Sequence, residues 1–118
     1  MSLPSASFAM RLTDADESSV HLQIAGEADL LSAPQFAAGL QEQIQSRKNV
    51  ILDFSETVFM DSSGLRALIG AIHRCEEHGT TLAVEGEVPH QLRRLFEITH
   101  VETVLPVVGE AQRNQAIR

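Results

Sequence analysis

The chain has 118 residues, enough for one domain around one core. Hydrophobic residues make up 43% and charged residues 21%, the balance of an ordinary globular domain. The formal net charge of −7 repels phosphate backbones and anionic headgroups, and 4% aromatics disfavours a base-stacking platform, so neither direct nucleic-acid binding nor membrane insertion is expected. One cysteine, Cys75, rules out an intrachain disulfide. No apolar run approaches the roughly 20 residues that span a bilayer, and residues 1–5 lack a basic, apolar leader. A cytoplasmic protein is expected.

Residues 1–7 are small and polar, and a flexible N-terminus is expected there. Phe8, Met10 and Leu12 alternate with Ala9 and Arg11, which predicts a first strand. The polar run 13–19 reads as a turn. Val20, Leu22 and Ile24 then alternate with His21 and Gln23, so the two segments predict an antiparallel hairpin with one wet face, ended by Gly26. Ser32 is a candidate N-cap, with Pro34 early in the helix that follows. Phe36, Leu40 and Ile44 form its apolar stripe, and Arg47, Lys48 and Asn49 suit its exit. Residues 50–54, Val-Ile-Leu-Asp-Phe, are almost wholly apolar, as a buried strand should be.

A second helix is predicted to start within 61–63 and run to about His78 on Leu65, Leu68, Ile69, Ile72 and Cys75, with Gly79 as its C-cap. Residues 81–84 read as a short strand. Pro89 opens a third helix carrying Leu92, Leu95 and Phe96 on one side. Val101, Val104, Leu105 and Val107 suggest one last strand, and the tail 109–118 is polar with weak helical character. The order β-β-α-β-α-β-α-β predicts an α/β fold: one domain over 8–108, a mixed sheet with an N-terminal antiparallel hairpin and helices packed on it.

The chemistry concentrates in Phe59-Met60-Asp61-Ser62-Ser63-Gly64-Leu65, where a strand pattern meets a helix pattern. A carboxylate, two hydroxyls and a glycine stand where a helix start exposes unpaired N–H groups. Such residues can cap the helix, or they can present a serine whose phosphate would sit on the helix dipole. The five histidines, at 21, 73, 78, 90 and 100, show no metal-ligand spacing, so no metal or cofactor is expected. Asp-Ser-Ser-Gly lacks the Gly-x-Ser-x-Gly elbow of a hydrolase, so neither enzyme activity nor a catalytic residue is expected. Cys75 continues an apolar stripe and reads as core.

Val58-Phe59-Met60-Asp61-Ser62-Ser63-Gly64-Leu65 closely resembles the phosphorylation-site motif of anti-sigma factor antagonists in the STAS-domain family. Ile24-Ala25-Gly26-Glu27-Ala28-Asp29, Val50-Ile51-Leu52-Asp53-Phe54 and Leu92-Arg93-Arg94-Leu95-Phe96-Glu97-Ile98 match its other segments in order. The resemblance implies a stand-alone STAS domain. Its unphosphorylated form would bind an anti-sigma factor serine kinase and so free a sigma factor. Phosphorylation by that kinase would end the complex, and a PP2C-type phosphatase would reset it. Carried over by position, Ser62 is the phosphoacceptor and Ser63 the second choice. Asp29, Asp61, Ser62, Ser63 and Gly64 are the implied partner contacts, in a monomer or weak dimer. The resemblance departs over residues 28–34, where Leu30 and Leu31 are more apolar than an exposed contact loop should be.

A phosphate adds about −1.5 to −2 charge. At a helix start it would meet free N–H donors, with Asp61 opposing it, so the expected effect is on the binding surface rather than the fold. The plainer reading gives Asp61 and the serines to capping, Gly64 to tight helix–strand packing, Asp29 to a turn, and Arg93 and Arg94 to a solvated helix face. Two rivals share the fold: a non-phosphorylated STAS subunit of a lipid-transport ABC complex, and a structural subunit of a stress-signalling assembly.

Overall fold

The computed structural model describes residues 8–107. Eight elements follow in order: β1 (Phe8–Ala15), β2 (Ser19–Ala28), α1 (Ala33–Gln45), β3 (Asn49–Met60), α2 (Ser62–His78), β4 (Leu82–Glu85), α3 (His90–Ile98) and a 3-10 turn (Val101–Thr103). The four strands form one sheet in the order β1-β2-β3-β4. β1 pairs antiparallel with β2, while β2–β3 and β3–β4 are parallel. The mixed α/β sheet with its opening hairpin is therefore as predicted. Both parallel connections pass through a helix, and right-handed crossovers in one direction put α1 and α2 on the same face.

Alternation along the strands explains the layers. Val20, Leu22 and Ile24 of β2 and Val50, Leu52 and Phe54 of β3 are fully buried beneath the helices, with Phe36, Leu40 and Ile44 of α1 and Leu68, Ile72 and Cys75 of α2 above them. Phe8 tilts against Phe36 and Phe54 meets Phe96 of α3 edge-on, at ring separations of 5.7 and 5.8 Å. The opposite face stays wet: Arg11 donates to Gln23, and His21 reaches across β3 to Glu85 at 3.0 Å. This corrects the reading of 50–54 as wholly buried. Only one face of β3 is covered, and its other face carries half-exposed Ile51 and Asp53.

Three boundaries also move. Gly26 is the last β2 residue paired with β1, as predicted for the hairpin, but it does not end the strand. It takes φ 88°, and β2 runs on to Ala28 with register shifts on either side of it. The Thr57 hydroxyl fills the gap in the ladder by donating to the Ile24 carbonyl at 2.7 Å. β3 likewise extends to Met60, because its second half pairs with the end of β2. Among the described residues the last strand reduces to one bridge between Val107 and Val84, with Val101 of the 3-10 turn and Leu105 just after it plugging the core. At the exit of α1, Arg47 adopts the left-handed position that glycine usually fills, φ 63°. The tail 109–118 and residues 1–7 lie outside the described residues.

Candidate functional site

The carboxyl ends of β2 and β3 lie side by side, and α1 and α2 start from them. Parallel strands make such an end the natural place for function, because the helix starts and connecting loops converge there. Asp61 is the N-cap of α2. Its Oδ1 accepts from the backbone N–H groups of Ser63 at 2.8 Å and Gly64 at 3.2 Å. Its Oδ2 accepts from the N–H of Leu30 at 3.2 Å, and its own N–H donates to the Ala28 carbonyl at 3.2 Å. One carboxylate thus starts the helix and ties it to the neighbouring loop.

Ser62 follows as the first helical residue and is exposed. Its hydroxyl makes no hydrogen bond among the described residues. Ser63 is half-buried beside it. Gly64 is buried against the end of β2, where an added Cβ would run into the Ala28 carbonyl oxygen and lie 2.9 Å from Met60 Cγ. Close packing therefore requires glycine here. The expected free donors for a phosphate are not free at Ser63 and Gly64, since Asp61 already holds both. A phosphate on the exposed Ser62 would find those two donors already taken.

The loop before α1 is braced by its own side chains. Ser32 stands at the N-cap position of α1 but makes no capping bond to it. Its hydroxyl donates to the Glu27 carbonyl at 2.6 Å and accepts from the Asp29 N–H at 2.9 Å. Asp29 Oδ1 accepts from the N–H groups of Leu31 and Ser32, both at 3.1 Å. Asp29 is thus a turn carboxylate, with its half-buried side chain spent on shaping the loop. The tension at Leu30 and Leu31 resolves the same way. Backbone bonds to Asp61 and Asp29 hold the loop so that the two side chains stand 71% and 88% exposed, next to Ser62's helix start. Only the fold reveals this apolar knuckle; the sequence signal was the pair of leucines between turn residues.

The five residues singled out from sequence therefore meet at one end of the molecule. Arg93 and Arg94 are exposed on α3, and Arg94 lines an open pocket together with Phe59 and Met60, just before Asp61. Among the described residues no cluster of three or more His, Cys, Asp or Glu could hold a metal ion. No helix of the described residues is long and apolar enough to cross a membrane. Burial pushes the Cys75 thiol up from its ordinary pKa, which keeps it in the protonated, poorly nucleophilic form.

Comparison with known proteins places the chain in a family. The family model described as "Mlab, STAS domain" matches residues 12–108. The chain is 30% identical over 112 residues to the anti-sigma-B factor antagonist of Listeria monocytogenes, covering 91% of this chain and 96% of that one. It is 26% identical over 97 residues to the anti-sigma-B factor antagonist of Bacillus subtilis, covering 82% of this chain and 88% of the relative. An anti-sigma factor antagonist from Mycobacterium paratuberculosis superposes with a TM-score of 0.76 at 21% identity, covering 88% and 87% of the two chains. With the family model spanning most of its length, the chain belongs to the STAS-domain family.

Proposed function

We propose that this chain is an anti-sigma factor antagonist working by partner switching at Ser62. In its unphosphorylated form it binds an anti-sigma factor serine kinase and thereby frees a sigma factor. The observation that carries the reading is local: Asp61 caps α2, which leaves the Ser62 hydroxyl exposed and unspent at the helix start. The anti-sigma-B factor antagonists at 30% and 26% identity support the same role.

The switching step is a phosphoryl transfer. The Ser62 oxygen bonds to the γ-phosphorus of ATP, the bond to the ADP oxygen breaks, and the hydroxyl proton passes to a base on the kinase. A phosphatase of the PP2C type returns the serine by hydrolysis. A partner packed over Ser62 then meets an anion of about −1.5 to −2 charge. A charge left unpaired in a contact costs several kcal/mol, about enough to end a complex of ordinary affinity. The fold itself is left intact, because Ser62 is exposed.

The test is intact mass with peptide mapping after incubation with ATP and the anti-sigma kinase of the same cell. One added phosphate on Ser62, absent from Ser62→Ala, is the expected result. A phosphate on Ser63 would move the acceptor by one residue. No phosphate, with the kinase active on another substrate, would overturn the switch and favour a constitutive docking subunit.

A further inference from the structure

Ser62, Arg66, Gly70 and Arg74 follow one another at intervals of four along α2, which puts them on one stripe of the helix. The last three line an open cleft of about 400 Å³ between α2 and α1. Across it stand Ala33, Pro34 and Ala37, with the exposed Leu30 at its end.

Gly70 has no task within the fold. A glycine inside a helix costs about 1 kcal/mol relative to alanine. Yet a Cβ added at Gly70 would meet nothing within 4 Å. Its backbone is bare toward the cleft, and the facing alanines keep the opposite wall low. A second helix can approach closely over such small residues.

The charges point to the kind of helix. Arg66 and Arg74 are exposed, and among the described residues neither lies within 4.0 Å of a carboxylate. They stand two helical turns apart, about 12 Å at 1.5 Å per residue. Two unpaired cations flank a floor of small apolar residues in a chain whose net charge is −7. The complement is an amphipathic helix with carboxylates two turns apart and an apolar face between them.

We propose that this cleft docks an acidic amphipathic helix of the anti-sigma partner, and that phosphate on Ser62 releases it by pairing with Arg66 in cis. The identity of the partner and the modification rest on the function proposed above. Ser62 precedes Arg66 by four residues, the favourable order for an anion and a cation on a helix. Phosphorylation then acts twice: it repels the acidic helix and occupies one of its two anchors.

The experiment is calorimetric titration of the full chain with the purified anti-sigma kinase. Arg66→Glu and Arg74→Glu are each expected to weaken binding by about tenfold or more, since reversal replaces attraction by repulsion at a contact. Gly70→Leu is expected to weaken it by filling the cleft, while Gly70→Ala raises the melting temperature and confirms that the position is free to change. Wild-type binding retained by Arg66→Glu, Arg74→Glu and Gly70→Leu overturns the docking cleft alone. A wild-type chain that does not bind the kinase overturns the proposed function, and this inference with it. The cis pair is tested on a chain carrying phosphoserine at 62 by phosphorus NMR. Its second pKa, ordinarily about 6, is expected to rise on Arg66→Gln. Asp61 pushes it up in both chains, so the difference isolates Arg66. No difference overturns the cis pair.

Discussion

Two serines stand at two helix starts in this molecule, and they have opposite fates. Ser32 sits at the N-cap position of α1, and its hydroxyl is bonded to Glu27 and Asp29 within the loop. Ser62 sits one residue into α2, and Asp61 does the capping in its place. The lesson concerns availability. A serine near a helix start keeps its hydroxyl free where another side chain has taken over the structural work. The same carboxylate that frees Ser62 also holds Leu30, so the exposed hydroxyl and the exposed Leu30 are set by one residue.

The sharpest way to break this contrast is to remove the close packing beneath Ser62. Gly64→Ala drives a methyl group into a backbone carbonyl that cannot yield. A loss of about 2–3 kcal/mol is expected by urea denaturation, since overpacking against fixed atoms costs this much. Asp61→Ala is next. It removes a cap and should cost about 1–2 kcal/mol. Faster hydrogen exchange at the Leu30, Ser63 and Gly64 amides would show that loop and helix loosen together. Unchanged exchange at Leu30 would separate the two roles of Asp61.

Ser32→Ala sharpens the comparison from the other side. It strips partners from two backbone groups in the loop and should cost about 1 kcal/mol. A smaller effect is expected from pH. Backbone N–H groups of Ser18 and Ser19, then the Ser18 hydroxyl, hold the Asp16 carboxyl below its usual pKa at the hairpin turn. A depressed folded-state pKa means that this contribution is present above the unfolded value of 3.8 and is lost as pH falls through the folded one. Asp16→Asn should therefore flatten the acid side of the stability curve slightly. Ser62→Ala should change stability least, within about 0.5 kcal/mol. A larger loss would make Ser62 structural, and the contrast with Ser32 would collapse.

Much of this was legible in one dimension. The stripe Phe36, Leu40 and Ile44 and the stripe Leu65, Leu68, Ile72 and Cys75 are core in the structure as the spacing predicts. Helical periodicity is a local property, and burial of one face follows from it. The Asp-Ser-Ser-Gly start of α2 and its Gly79 end were likewise readable, because caps are made by neighbours in sequence. The strand ends were not. β2 continues through Gly26 and β3 runs past Phe54 because each finds hydrogen-bond partners in the other, 33 residues away between Ile24 and Thr57. The last predicted strand fails for the converse reason: Val101 and Leu105 are apolar because they plug the core, and among the described residues only Pro106 and Val107 meet β4, at Val84.

The sequence by itself determined the order of the four strands and three helices through α3, the aliphatic core and the placing of a carboxylate, two serines and a glycine at one helix start. All of these depend on composition and short-range spacing. Only the tertiary structure decided which serine is spent and which is displayed. It also decided that Asp29 shapes a loop, that Leu30 and Leu31 face solvent, and that Gly70 opens onto a cleft. Each of these turns on a contact between segments distant in the chain. A hydrogen bond across 31 residues, such as that from Leu30 to Asp61, leaves no periodicity for a sequence to carry.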